Sequence, residues 1–297
     1  MTSQAPLRGA PSTTGRRLLL LGPALAVIGV FFVGGVSQAV AQSLGYQPLL
    51  GATRWSLDAY RAAATDPAVQ SSVVLTLRVG LLATGISTVL GVLAALTVRR
   101  LGRGRRWMQQ LFQSALAVPH LVGALCIGLL LAPTGFLSRL LHAGGVVDNS
   151  SDFPALIQDR FGWGIIAEYV WKETPFMAVI ALTAMSTGLT RLEDASRTLG
   201  AGRLQRLRHV TLPILAPRVA SGSVLVLAFT MGSYEVPYLL GRPFPAPLSV
   251  VAYQSFRDTD LTTRPQAMAV AVIITALTLV IATAYLSLVR RLVGRSL

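Results

Sequence analysis

Six stretches of about 20 mostly apolar residues, set apart by short charged segments, constrain this chain more than anything else in it. They run over Leu18–Val40, Ser72–Val98, Leu111–Ala132, Trp163–Thr187, Val219–Leu240 and Gln266–Val289. That is the length a helix needs to cross the hydrocarbon core of a bilayer. Backbone polar groups in lipid must be satisfied within the segment, so each run reads as a transmembrane helix. The predicted fold class is therefore an all-α membrane protein with six transmembrane helices. Charged residues make up 13% of the 297 residues, about half the share of a soluble domain. That excludes an ordinary soluble enzyme and a disordered chain. Pro23, Pro119, Pro175 and Pro237 fall inside or beside the runs, where packed membrane helices tolerate them. Gly80, Gly85 and Gly91 of the second run suit close approach of a neighbouring helix.

The formal net charge of +14 at first suggests an acidic partner such as nucleic acid. Sorted along the chain, it has another meaning. The N-terminal tail, the second and fourth loops and the C-terminus together hold seventeen arginines against Glu193 and Asp194. The opposite side holds seven arginines and seven aspartates, which cancel. Arg78, Glu168, Lys172, Glu173 and Glu235 lie within the runs. Such asymmetry is what the positive-inside rule expects of six helices with both termini cytoplasmic. No basic stripe with interleaved aromatics remains for nucleic acid. The expected organisation is a cytoplasmic tail over 1–17, a first span over 18–40 and a five-span core over 72–290.

A competing reading of the N-terminus is a twin-arginine signal, from Arg16-Arg17 and a small-residue site at Ala39-Val40-Ala41. The apolar stretch is longer than the 7–15 residues of a signal core. The inside–outside count also works only if this span is kept.

The fourth loop, 188–217, is long and polar. Leu189, Leu192 and Leu199 fall near helical spacing and Gly200 follows as a stop. Leu204, Leu207 and Val210 mark a second amphipathic segment, and Pro213 is expected to end it. The pattern predicts a helix–turn–helix on the membrane surface. Within it, Asp194-Ala195-Ser196, three residues, Gly200, nine residues, then Val210-Thr211-Leu212-Pro213 resembles the EAA loop of binding-protein-dependent ABC importer permeases (type I). Asp stands for the usual Glu, Ser for the second Ala and Val for Ile. Glu193 stands one place early as a candidate to share the acidic role.

The resemblance covers roughly residues 70–290. It includes Ser72-Val-Val-Leu-Thr-Leu77 and Trp171 with Pro175-Phe176. Gly232-Ser-Tyr-Glu-Val-Pro-Tyr-Leu-Leu-Gly241 more loosely resembles the polyamine, ferric-iron and thiamine permease grouping.

The resemblance implies the type I permease fold and the function of a permease subunit of an ATP-driven importer in the bacterial inner membrane. The implied partners are ABC ATPase subunits, a second permease copy or paralogue, an extracytoplasmic solute-binding protein and membrane lipids. Glu193, Asp194, Ala195, Ser196, Gly200, Leu212 and Pro213 are the implied coupling residues. A carboxylate at Asp194 can pair with a cation of the ATPase. Small side chains at 195 and 196 allow close approach. Gly200 supplies a turn where φ is positive or a side chain would clash. Leu212-Pro213 would anchor the end of the loop. Outer segments 41–71, 133–162 and 242–265 are the implied docking surface for the binding protein.

No P-loop pattern occurs in the sequence, so ATP hydrolysis is expected on a separate subunit. The single Cys126 and the scattered His120, His142 and His209 offer no metal-ligand spacing and no cofactor is expected. Neither His120 nor His142 is given a functional role. Ionisable groups at membrane depth are costly and are candidates for function. Glu168 and Lys172 stand four apart, in the favourable order for a helix pair. Glu173 is expected to line a pathway or pair with Arg78. Pro175 would loosen the turn before it. Glu235, beside Tyr234, is expected near the outer end of the fifth span, and both are pathway candidates. The alternative reading, a stand-alone secondary transporter or channel, would need inverted repeats or unwound helix pairs, which the sequence does not display.

Overall fold

The computed structural model describes residues 13–48, 51–101, 104–149, 151–185 and 188–294. Arg8, Arg103 and Arg295 of the charge count, the start of the 1–17 tail and the end of the fourth apolar run lie outside them. The described residues are helical almost throughout, and their only β pairing is an isolated bridge between Gln47 and Ala52. Among the described residues, five helices are long and apolar enough to span a membrane: 20–43, 67–100, 120–143, 203–232 and 261–291. A sixth is counted when Trp163–Ala184 is taken with Leu189–Thr198, which is bent 64° from it.

Helix α1 (Thr13–Ser43) lies along the last helix, which we call α13 (Arg264–Gly294). Its large apolar side chains, such as Phe31 and Phe32, remain exposed. A short outer helix, α2 (Asp58–Thr65), leads into α3 (Pro67–Arg100). The start of α3 is well specified: the Asp66 side chain accepts the Ala68 N–H at 2.8 Å and Pro67 occupies the first helical turn.

Helix α3 packs along α7 (Trp163–Ala184) and against a further helix, and a glycine makes room for each. A Cβ on Gly91 would lie 2.5 Å from the Met177 Cβ and 2.9 Å from the Ala178 N. On Gly80 it would lie 2.7 Å from Met231 Cγ, on α10 (Leu212–Gly232). The expectation for Gly85 fails, since a Cβ there meets nothing within 4 Å. A 3.6-residue period puts it on a different side of the helix from Gly80 and Gly91.

Three predicted boundaries are corrected. The run Leu111–Ala132 is not one helix: α4 (Gly104–Ala117) stops before Pro119 and α5 (His120–Leu131) starts after it. Pro119 has no N–H to continue the ladder. The apolar span continues instead through α6 (Phe136–Ala143), giving 120–143.

The fifth run breaks at Ser233, so Glu235 begins a separate short helix, α11 (Glu235–Leu240). The break is bonded from the side by α12 (Leu248–Phe256), which lies within the segment expected to be an outer loop. Ser249 Oγ donates to the Ser233 carbonyl at 2.7 Å, and the Leu248 N–H donates to Thr76 Oγ1 at 2.8 Å.

Pro213, finally, does not end the second loop segment. Helix α9 (Arg203–Arg206) runs through a π-turn (Leu207–Thr211) into α10. In that turn the Leu212 N–H reaches back five residues to the Leu207 carbonyl. The wider turn carries the chain past a proline that cannot make its own bond to the preceding turn.

Candidate functional site

Two places bring the predicted residues together. The first is the cytoplasmic-type loop. Helix α8 (Leu189–Thr198) begins after Gly188 and ends in a turn at Gly200, whose φ is +83°. A Cβ at Gly200 would meet nothing within 4 Å. The requirement there is conformational, not steric: a left-handed backbone that a side chain disfavours.

Asp194 and Ala195 face outward and exposed, and Ser196 is half-buried with its Oγ donating to the Glu193 carbonyl at 2.8 Å. Glu193 turns the other way. Its carboxylate receives Arg99 Nη1 at 2.8 Å and Nη2 at 2.6 Å, a two-pronged pair to the end of α3. Thr211 Oγ1, in the π-turn, donates to the same carboxylate at 2.7 Å. The adjoining two residues of the predicted acidic pair thus have opposite surroundings. Leu212 is partly exposed, and Pro213 half-buried, at the start of α10.

The Arg99 hydrogen bonds, followed by that of Thr211, hold the Glu193 carboxyl below the usual carboxylate range despite partial burial. A lowered folded-state pKa means that the contact stabilises fully at neutral pH. Its contribution is lost as pH falls through and below the ordinary carboxylate range. We expect wild type to exceed Glu193→Gln by about 1 kcal/mol at neutral pH. The gap in Tm of the detergent-purified chain should shrink as pH falls through and below the ordinary carboxylate range. A gap that stays constant with pH would contradict the assignment.

The second place surrounds the break at Pro119. Lys172 of α7 does not pair with Glu168. Its Nζ donates to the carbonyls of Ala115 at 2.7 Å, Leu116 at 3.1 Å and Val118, all at the end of α4. A helix terminus leaves such carbonyls short of internal partners, although that of Ala115 also accepts the Val118 N–H at 3.4 Å, and a cation suits that end of the helix dipole.

Glu168 instead lies 3.3 Å from His120 Nδ1, through Oε1, and is completely buried. Glu173 reaches His120 Nε2 at 3.6 Å. The imidazole thus sits between two carboxylates. It also packs against Phe229 of α10 at a tilt of 36°, with ring centroids 4.4 Å apart. Gly123 makes the room: a Cβ there would lie 2.9 Å from Glu168 Oε1 and 3.0 Å from the Trp171 ring. The expected Glu173–Arg78 pair is not formed. Arg78 lies over the Phe161 ring, 4.6 Å from its centroid.

Sequence reasoning missed His120. The available signal was its place directly after Pro119 in an apolar run that also faces two acids on another run. His120, Lys172 and Glu173 border a cavity of about 440 Å³, closed on other sides by Phe176, Leu225 and Phe229.

The remaining predicted residues stand apart from this cluster. Tyr234 packs on Tyr253 and Tyr238, with centroids 4.1 and 5.0 Å away. Arg257 lies over Tyr253 at 5.8 Å. Glu235 is exposed at the start of α11. Among the described residues no group of three His, Cys, Asp or Glu has metal-binding geometry.

Long apolar helices, a broken span with a buried ionic cluster, and the polar loop helix α8 define a multi-pass membrane protein. Residues 87–295 match the family model described as the binding-protein-dependent transport system inner membrane component. The chain belongs to this family: it is the membrane permease component of a binding-protein-dependent ABC transport system, with ATP hydrolysis on a separate subunit.

It is 29% identical over 245 residues to the inner membrane ABC transporter permease protein YdcU of Escherichia coli (strain K12), covering 77% of this chain and 76% of that one. It is 27% identical over 211 residues to the molybdenum transport system permease protein ModB of Mycobacterium tuberculosis, covering 70% and 72%. Its fold matches a chain of the bacterial ABC transporter involved in import of the acidic polysaccharide alginate. The TM-score is 0.76 at 20% identity, over 93% of this chain and 96% of that one.

Proposed function

We propose that this chain, with a second permease copy or a paralogue, forms the translocation pathway of a type I importer. Both termini and the 188–217 loop face the cytoplasm, as the arginine asymmetry implies. Helix α8 docks in a groove of a cytoplasmic ABC ATPase through Asp194 and Ala195, with Ser196 behind them and Gly200 setting the exit angle. Leu212 and Pro213 join this docking segment to α10. A solute-binding protein docks on the outer segments; the similar alginate transporter has been solved in complex with its alginate pentasaccharide-bound periplasmic protein.

Within the membrane, Glu173 borders the pathway beside His120, and Glu168 supports that histidine from behind. Tyr234 and Glu235 stand at the outer mouth. A stand-alone transporter is not supported, since the family works with a binding protein.

One observation carries the coupling reading: a free carboxylate and a small side chain exposed on a helix whose neighbouring acid is committed inward. The test is co-purification with the importer's own ATPase subunit. We expect Asp194→Arg and Gly200→Trp to reduce ATPase recovery about tenfold, the worth of one charge-assisted contact or cap. Permease yield and helicity should be retained. Unchanged assembly and transport in both variants would refute the docking role.

A further inference from the structure

The geometry points to Glu193 as a positioning residue that makes the coupling helix α8 move as one body with α3 and α10, through Arg99 and Thr211. This inference rests on α8 being the segment that the ATPase moves. It assigns to Glu193 a task different from docking. Three elements meet at one carboxylate. Arg99 is the next-to-last residue of α3, 94 positions away in sequence, and presents both guanidinium nitrogens. Thr211 lies 18 positions on, at the end of the π-turn.

A two-pronged guanidinium–carboxylate pair fixes angle as well as distance. A third, hydroxyl donor from another element leaves little freedom to rotate. The π-turn is part of the device, because inserting one residue in a helix changes the direction of every side chain beyond it. It thereby aims Thr211 at α8 and keeps the chain continuous into α10. The side chains of Arg99 and Glu193 are each 22% exposed, so the contact is shielded from much of the solvent. Leu189 anchors the start of α8, fully buried in the same apolar cluster as Val98 and Leu215. The helix is thus tied to the core at its first residue and at its middle, while Asp194 stays free on the outside.

The consequence is mechanical. A push on α8 reaches α3 directly through Arg99. Through Thr211 it also reaches α10, the helix that carries Phe229 against His120.

The test uses the complete importer in lipid nanodiscs, in a Cys126→Ser background. Electron spin labels are placed on exposed Thr190 of α8 and Val89 of α3. The α8–α3 distance distribution is measured with and without ATP plus vanadate. Wild type is expected to give one narrow distribution that ATP leaves unchanged, since the two helices travel together. Glu193→Gln, and independently the near-isosteric Thr211→Val, should broaden it at least twofold and make it respond to ATP. ATPase recovery should remain within about twofold of wild type. The exchange Arg99→Glu with Glu193→Arg should narrow the distribution again.

Distributions that stay narrow and ATP-independent in both single variants would overturn the inference. So would loss of ATPase recovery in Glu193→Gln alone, which would place Glu193 on the docking surface. Failure of the docking reading itself shows separately, as unchanged assembly in Asp194→Arg.

Discussion

Lys172→Met is expected to destabilise the purified chain by about 3 kcal/mol, seen as a fall of several degrees in Tm in detergent. The methionine fills the same volume, so little packing is lost. What disappears is the donor shared by the Ala115, Leu116 and Val118 carbonyls. The Ala115 carbonyl keeps the Val118 N–H, while the Leu116 and Val118 carbonyls, left without a partner, each cost about 1–3 kcal/mol, and relief of the ammonium's own burial offsets part of the total. Lys172→Arg should recover only part of the loss. A flat guanidinium spreads its donors in a fork, whereas the three carbonyls converge on one compact ammonium. A Tm for Lys172→Met equal to that of wild type would show that the break at Pro119 holds without the lysine.

The second large effect is expected at Gly91. Gly91→Leu should cost about 3 kcal/mol or more, at the upper end for overpacking. A Cβ alone would intrude on Met177 Cβ at 2.5 Å and on backbone atoms of Met177 and Ala178 at 2.9 Å. Those atoms belong to the α7 helix itself and cannot swing aside as the tip of a side chain would. The remedy is to separate α3 from α7. That would disturb the cluster in which Ala95, Ala178 and Ala181 are fully buried. Gly85→Leu is the control, because nothing lies within 4 Å of its Cβ position. It should be neutral or slightly stabilising, since leucine is the better helix former. Thermal stability and the monodisperse fraction on size exclusion measure both. Equal behaviour of the two variants would contradict the packing account.

Comparing residues shows what the sequence could and could not convey. Gly200 was legible, because a left-handed turn after a helix leaves a compositional mark at a single position. The spans were legible for the same reason: each is a local property of its own residues. The direction of Glu193 was not. Glu193 and Asp194 are adjacent and alike, and what separates them is Arg99, held nearby only by the packing of α3.

Lys172 illustrates the same limit. Glu168 at four residues' distance looked like its partner by helical spacing. The carbonyls that hold it lie more than 50 positions earlier. They are available only because Pro119 interrupts a run that hydropathy joins. His120 was overlooked because no local pattern surrounds a lone histidine. Its partners arrive from α7, on a helix whose period sets Glu168 and Glu173 on either side of one ring. The expected boundary at Pro213 failed through a π-turn, a one-residue change in hydrogen bonding with no compositional signature.

The passage of helix through Pro213 gives the protein a lever. From Arg203 to Gly232 the chain forms one rod of 30 residues, about 45 Å long at 1.5 Å per residue. Its lower end hangs directly from the turn at Gly200. A tilt of only about 5° about that end would sweep the far tip through roughly 4 Å, more than a hydrogen bond can stretch. The far tip is Ser233, whose carbonyl is held by Ser249. A rod tilting against α3 would therefore strain this contact, because α3 holds α12 through Thr76 and Leu248, whereas a rod moving with α3 leaves it intact.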